Sequence, residues 1–224
     1  MCGRFTLVGP GSTLAKILDA LNRPFIVPFF PKYTPKFNIA PTQYVPVIRQ
    51  QDVVLMRWGL VPSWSKSMTG PPLFNARAET VAEKPSFRTA FKRRRCLIPA
   101  DGFYEWQVIG PKQKQPHYIT LRSGQPFAFA GLWETWHPQN GPPVESCTII
   151  TTAANQFMQP LHDRMPVILS PEEYAPWIDP ELTEPDQLLP MLNQYPDEEM
   201  TEHSVSPLVG SVRNDSPDLI VPVD

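Results

Sequence analysis

Apolar residues recur at two spacings along this chain, and each spacing predicts a kind of element. Leu14, Ile17, Leu18 and Leu21 fall on one helical face, and Ser12 ahead of them is placed to cap a helix over residues 12–21. Residues 44–49 and 53–58 read as a strand pair joined through Gln50-Gln51-Asp52. Further strands are expected over 96–99, 103–108, 117–121, 127–133 and 146–152. Gly102, Gly110-Pro111, Ser123-Gly124 and Asn140-Gly141 punctuate them. Between these lie an extended, proline-broken stretch at 24–41, a loop at 60–73 carrying Trp64, and a short helix near Pro85 with Phe87, Ala90 and Phe91. Ser170-Pro171-Glu172-Glu173 is a strong helix start, and a second short helix is expected over 185–192, both covering the sheet. Residues 203–223 return to extended structure. With no repeat and no linker, the pattern predicts one α+β domain over 1–224: a curved, mostly antiparallel sheet that can close into a barrel, with short peripheral helices.

Composition changes this picture little. Twenty-nine prolines in 224 residues exclude long helices, and because they sit within a chain that is 42% hydrophobic they mark loops of a folded domain rather than a disordered tract. Charge is more informative. Residues 1–122 hold 18 Lys and Arg against 6 Asp and Glu, whereas residues 123–224 hold 2 against 16. A basic half can collect phosphates, and it can equally be neutralised by the acidic half when the two pack. Cys2, Cys96 and Cys147 are too few and too scattered for a disulfide framework, and with four histidines they give no zinc-ligand spacing. No signal-type apolar region opens the chain, and the longest apolar stretch, 24–31, is too short and too broken by proline to span a membrane. A reducing cytoplasm fits these features.

Several polar residues interrupt apolar sequence where packing alone does not need them. Cys2 directly follows the initiator Met1, so removal of Met1 leaves an α-amine and a thiol on adjacent carbons of one residue. Asn75, Glu105 and the run His162-Asp163-Arg164 sit in similar company. Each also has an ordinary structural reading. Asn75 can bond a turn backbone, Glu105 can face solvent from a strand that alternates inside and outside, and residues 162–164 can form a surface turn.

Taken together, Met-Cys-Gly-Arg-Phe at residues 1–5, Phe-Asn-Ala-Arg-Ala-Glu-Thr at 74–80, Ala-Asp-Gly-Phe-Tyr-Glu-Trp at 100–106 and Leu-His-Asp-Arg-Met-Pro at 161–166 resemble the signatures of the SOS-response-associated peptidase (SRAP) family, in the same order and over nearly the whole chain. The resemblance implies a bifurcated sheet with a small barrel and peripheral helices. It implies a sensor of abasic sites in single-stranded DNA that forms a covalent crosslink through its N-terminal cysteine. An autocatalytic peptidase step that exposes the cysteine and an abasic-site lyase activity are associated with the family. By resemblance Cys2 is the nucleophile, Asn75 positions it, Glu105 is the acid/base group and His162 assists proton transfer. No metal or cofactor is implied, no membrane is involved, and a cytoplasmic monomer acting at the nucleoid is expected.

The chemistry of these residue types is consistent with that role. An α-amine has a pKa of about 8 against about 10.4 for lysine, so roughly a tenth of it is neutral at pH 7 and able to attack the aldehyde of a ring-opened abasic sugar. The resulting imine lies within reach of the same residue's sulfur, and closure of a five-membered thiazolidine makes the adduct durable. Glu105 can donate protons to the sugar and the carbinolamine. Arg4 and Arg77 are expected as phosphate clamps, with Arg164 as a further DNA contact. Asn38, Pro41, Trp64 and Trp58 are candidates for a stacking surface at the gap, although Trp58, on a strand, reads better as core. The run Phe91-Lys92-Arg93-Arg94-Arg95 reads as a solvated basic face and stays outside the site. Two other readings remain open: a cysteine peptidase acting on other proteins through Cys2, His162 and Glu105 or Asn75, and a non-covalent reader of modified DNA.

Overall fold

Two sheets carry the chain, and one region of core lies between them. The computed structural model describes residues 2–23, 33–50 and 52–223. The proline-broken segment at 24–32, Gln51 and Met1 lie outside the described residues. The first sheet contains β1 (Phe5–Leu7), β2 (Lys36–Ile39), β7 (Gly102–Gly110), β8 (Gln113–Leu121) and β13 (Met200–Ser204), antiparallel in the order β13-β8-β7-β1-β2. The second contains β3 (Tyr44–Ile48), β4 (Val53–Trp58), β6 (Arg95–Ala100), β9 (Phe127–Trp136) and β10 (Val144–Ala153), ordered β10-β4-β3-β6-β9. Pairing of β9 with β10 from Gly131↔Ile149 to Trp136↔Val144 closes this sheet into a five-stranded barrel. All its pairings are antiparallel except β10 with β4. The short strands β5 (Asn75–Arg77), β11 (Arg164–Pro166) and β12 (Ile168–Leu169) attach at one end of the barrel, β5 parallel to β10 and the other two antiparallel.

Side-chain alternation then fixes what each face buries. Phe5, Trp58, Phe103, Phe127, Phe129 and Ile149 meet in one cluster between the barrel and the first sheet, with edge-to-face ring pairs such as Phe5–Trp58 at 5.1 Å. A second cluster lies outside the barrel under α1 (Pro10–Ala20) and α3 (Pro171–Ile178). The opposite face of the first sheet is also covered: Tyr104 and Tyr118 pack against Val205, Val209 and Leu219 of the C-terminal segment.

The structure shifts several element boundaries for local reasons. Helix α1 begins at Pro10, ahead of the expected Ser12, because Pro10 takes the first helical position and Asp101 holds the turn that leads into it. Asp101 accepts hydrogen bonds from the Val8 and Gly9 amides (2.6 and 3.3 Å) and from the Thr13 hydroxyl (2.6 Å). The helix near Pro85 is α2 (Arg88–Arg93). Helix α3 starts as expected, with a capping box between Ser170 and Glu173. The helix expected over 185–192 breaks into α4 (Pro185–Leu188) and a single 3-10 turn, since Pro190 has no amide to continue the ladder. Residues 205–223 are not strand but two 3-10 turns, each opened by a Ser-Pro pair.

Part of the charge asymmetry is settled within the fold. The basic and acidic halves pair at Lys36–Asp215 (2.9 Å), Arg49–Glu145 (2.8 Å) and Arg94–Glu134 (2.7 Å). Arg95, expected in a solvated basic face, is instead buried and donates to the carbonyls of Phe91, Lys92, Trp177, Asp179 and Leu182, tying α2 and α3 to the barrel. Among the described residues no helix is long and apolar enough to cross a membrane.

Candidate functional site

The site is assembled where the N-terminal strand runs beside β7. Phe5 pairs with Phe103, and the Tyr104 amide donates to the Arg4 carbonyl at 3.0 Å. Continuing that antiparallel course brings Gly3 and Cys2 alongside Glu105 and Trp106. Cys2 is fully buried. Burial pushes its thiol well above the ordinary range, and the Glu105 carboxylate adds to the shift.

Glu105 shares a strand face with Phe103, which points into the central cluster. Tyr104 on the other face packs under the C-terminal segment, so this end of the strand has no wet face, and Glu105 is only 2% exposed. The solvent-facing alternative is therefore excluded. Burial raises its carboxyl to about 7, with Asp163 adding to the shift and the positive amino end of the chain opposing it. Glu105 can thus both give and take a proton near neutrality.

His162 precedes β11 and is less exposed than its neighbour Asp163. Two contacts at its Nδ1 conflict as hydrogen bonds: the Arg164 amide at 2.9 Å, and the Asp163 carboxylate at 2.7 Å. The amide can only donate, so Nδ1 accepts from it and the neutral ring carries its proton on Nε2. The Asp163 side chain, 86% exposed, contributes charge screened by solvent. Burial lowers the His162 pKa and keeps the ring neutral.

Asn75 opens β5. Its position is held from behind by Trp58, whose indole N–H donates to the Phe74 carbonyl at 2.9 Å, and by its own Nδ2 bond to the same carbonyl at 3.0 Å. Its Oδ1 is buried without a hydrogen-bond partner among the described residues, which leaves an acceptor for an N–H group. Trp58 is core, as its strand position suggested.

The DNA-contact candidates separate into two groups. Arg77 is exposed on β5, two residues from Asn75 and on the same face. Trp64 is 65% exposed on the loop joining β4 to β5, over a groove of about 270 Å³ lined by Arg57, Val61, Trp64, Met68 and Pro72. Pro41 is half-buried in the turn after β2. Arg164, by contrast, is held by Glu79 through two bonds (2.5 and 2.9 Å) and by the Thr151 carbonyl.

Asn38 and Arg4, expected as a stacking residue and a phosphate clamp, are engaged in hydrogen bonds within the fold. Asn38 is 2% exposed, donates to the carbonyls of Val209, Ser211 and Asn214, and accepts from Arg4 at 2.7 Å. Arg4 also donates to the Val209 and Gly210 carbonyls. Together they pin the C-terminal segment over the first sheet. Asn38→Ala is expected to destabilise the fold by about 3 kcal/mol in urea denaturation, the sum of several modest bonds, and to speed amide exchange over residues 209–214.

His117 and Glu202 pair beside Glu105 and stand outside the sequence candidates. His117 lies opposite Glu105 in the β7–β8 pairing, and its Nδ1 meets the Glu202 carboxylate at 2.6 Å. The hairpin centre at Gly110-Pro111 was the available signal, because strands folding back about it place 105 against 117.

Comparison with known proteins follows this geometry. The family model described as SOS response associated peptidase (SRAP) matches residues 1–212. The chain is 45% identical to the abasic site processing protein YoqW of Bacillus subtilis, over 98% of this chain and 99% of that one. It is 33% identical to the abasic site processing protein YedK of Escherichia coli, covering both completely, and 32% identical to the rat abasic site processing protein HMCES, over all of this chain and 76% of that one. A crystal structure of a protein from Bacteroides thetaiotaomicron superposes with a TM-score of 0.85, over 99% of this chain and 100% of that one, at 27% identity.

Proposed function

We propose, because the chain belongs to the SOS response associated peptidase (SRAP) family, that it processes abasic sites in single-stranded DNA by crosslinking to them through Cys2. The observation that carries this reading is a buried carboxyl, Glu105, poised at about 7 against a buried Cys2.

The reaction begins once Met1 has been removed. The neutral α-amine of Cys2, accepted by Asn75 Oδ1, attacks C1′ of the ring-opened sugar. Protonated Glu105 gives its proton to the carbinolamine hydroxyl, which leaves as water, and an iminium remains. The Cys2 sulfur then adds to the iminium carbon while its proton passes to the ionised Glu105. A C–S bond forms, the C=N bond becomes a C–N bond, and the net change is loss of one water. His162, neutral with Nε2–H, donates to the sugar oxygen during ring opening. Arg77 holds a flanking phosphate, while Trp64 and Pro41 offer apolar surface to neighbouring bases.

The high thiol pKa supports this order of events. A protonated, buried sulfur is a poor first nucleophile, so the amine acts first and the sulfur second. The same burial weighs against a peptidase acting on other proteins, which needs a thiolate at the start. Self-removal of the residue ahead of Cys2, lyase turnover of the imine, and monomeric action in the cytoplasm are compatible with the scheme.

The test is a denaturing gel. Protein mixed with a uracil-glycosylase-treated single-stranded oligonucleotide is expected to give a shifted band stable to heat and detergent. The band should be absent on intact DNA, and its absence on abasic DNA would refute the reading.

A further inference from the structure

The Phe-Asn-Ala-Arg-Ala-Glu-Thr run at 74–80 holds a charged residue that the scheme above does not use. Glu79 sits in the single 3-10 turn Ala78–Thr80 that follows β5, and its side chain is half exposed. Arg164 opens β11, and its side chain is only 15% exposed. Both β5 and β11 pair with Thr151 of β10, so they flank that strand on opposite edges. Paired residues of neighbouring strands share a face, which puts Asn75, Arg77, Thr151 and Arg164 on one face. It is the face of Ile149, which belongs to the central cluster with Cys2, whereas Ala76 and Ile150 point the other way into the cluster under the helices. Arg164 therefore rises from the side of the reaction centre, and its guanidinium reaches across β10 to meet Glu79.

The donors of Arg164 are nearly all committed. Nη1 donates to Glu79 Oε1 at 2.5 Å, and Nη2 donates to Glu79 Oε2 at 2.9 Å and to the Thr151 carbonyl at 2.6 Å. The Nε–H is buried with no hydrogen-bond partner among the described residues. The fork that suits a phosphate is thus filled by a carboxylate, an anion that offers the same two-oxygen match. The bonds from Arg164 hold the Glu79 carboxyl below the ordinary carboxylate range, burial opposes them, and the Arg77 charge acts in the same direction as Arg164. Glu79 is therefore an ionised group under the influence of both arginines.

We infer that Glu79 stands in for a DNA phosphate in a seat formed by Arg77 and Arg164, and that a strand entering the site displaces the carboxylate and takes over the Arg164 fork. The inference rests on the DNA-processing role proposed above and deepens it, since Arg164 becomes a DNA contact only when Glu79 lets go. No covalent bond changes; one anion replaces another on the guanidinium. The exchange gives up the Glu79 pair, so the protein grips a strand more loosely than two free arginines would. Intact and abasic strands carry the same phosphates, and a tight grip would hold the protein on strands that offer no aldehyde. A seat already filled by the protein's own anion shortens those stays and leaves durable attachment to the bond at Cys2.

Two measurements test it. Binding of an intact single-stranded oligonucleotide is read by fluorescence anisotropy at fixed ionic strength. Glu79→Gln is expected to bind about three- to fivefold tighter than the parent, the contribution of a partly exposed ion pair that no longer has to break, and mostly through slower dissociation. In an Arg164→Met background, which keeps the buried stem, the same change is expected to leave affinity unaltered. The second measurement needs no change at Arg164. In 15N-labelled parent protein the Arg164 Nε–H signal is expected to shift as the oligonucleotide is added, and in Glu79→Gln to shift at lower oligonucleotide concentration. Unchanged or weaker binding by Glu79→Gln, a gain that persists without Arg164, or an Arg164 Nε–H signal that ignores DNA overturns the inference, whether or not the parent protein crosslinks. Tighter binding by Glu79→Gln in a protein that forms no crosslink leaves the phosphate seat standing and refutes the covalent chemistry alone.

Discussion

Replacing Cys2 by Ala is expected to remove the heat-stable DNA adduct altogether, a loss of at least about a thousandfold in yield after an hour. The expectation follows from what the thiol contributes. Attack by a positioned group on the same residue carries an effective concentration of roughly 10⁵ M or more, and without it only a reversible imine remains. Cys2→Ser separates the two steps. The amine is still present, so an imine should form and be trapped by borohydride reduction, but no durable adduct should accumulate without reductant. Folding is a modest concern. Cys2 is buried in the central cluster, and loss of one sulfur there costs about 1 kcal/mol, which a thermal melt will register. An adduct of undiminished stability in Cys2→Ala would place the chemistry on another residue.

Glu105→Gln is expected to slow crosslinking by about a hundredfold, the lower end of what positioned acid–base groups contribute. Its pH profile is more diagnostic than the rate. In the parent protein two conditions must hold together. The α-amine must be neutral, which becomes frequent as pH rises toward about 8. Glu105 must be protonated to expel water, and that form is lost as pH rises through about 7. The product is a bell with its maximum near pH 7.5, falling on the acid side through the amine and on the alkaline side through Glu105. In Glu105→Gln the alkaline limb should vanish and leave a single rise with pH. Quench-flow or timed gel assays between about pH 5.5 and 9.5 measure this directly. A variant that keeps the alkaline limb would show that Glu105 is not the acid.

The sequence revealed much of this because its chemistry is concentrated in short runs. The strand pattern, the α3 start at Ser170-Pro171 and the barrel were readable from alternation and proline placement. What escaped depends on partners far along the chain. Glu105 between Tyr104 and Trp106 looks amphipathic under an alternation rule that assumes one wet face. Here the C-terminal segment covers the outer face with Val205, Val209 and Leu219, so both faces are dry. Arg4 reads as a phosphate ligand, and its bonds to the Val209 and Gly210 carbonyls, more than 200 residues away, give it a structural task that sequence cannot show. Arg95 reads as part of a basic run, yet it is buried because five carbonyls around the ends of α2 and α3 converge on it. His117 is placed opposite Glu105 by the register of the β7–β8 hairpin, which side-chain alternation alone does not specify.

The central claim is that a single residue, Cys2, supplies first the amine and then the sulfur. The measurement that tests it most directly is tandem mass spectrometry of the N-terminal peptide from protein crosslinked to an abasic oligonucleotide and digested with nuclease and protease. The account predicts a peptide beginning at Cys2, lacking Met1, carrying the sugar fragment with loss of one water on that residue, and unchanged in mass after borohydride treatment. A sugar attached to a lysine, or to a peptide that still begins with Met1, would contradict it.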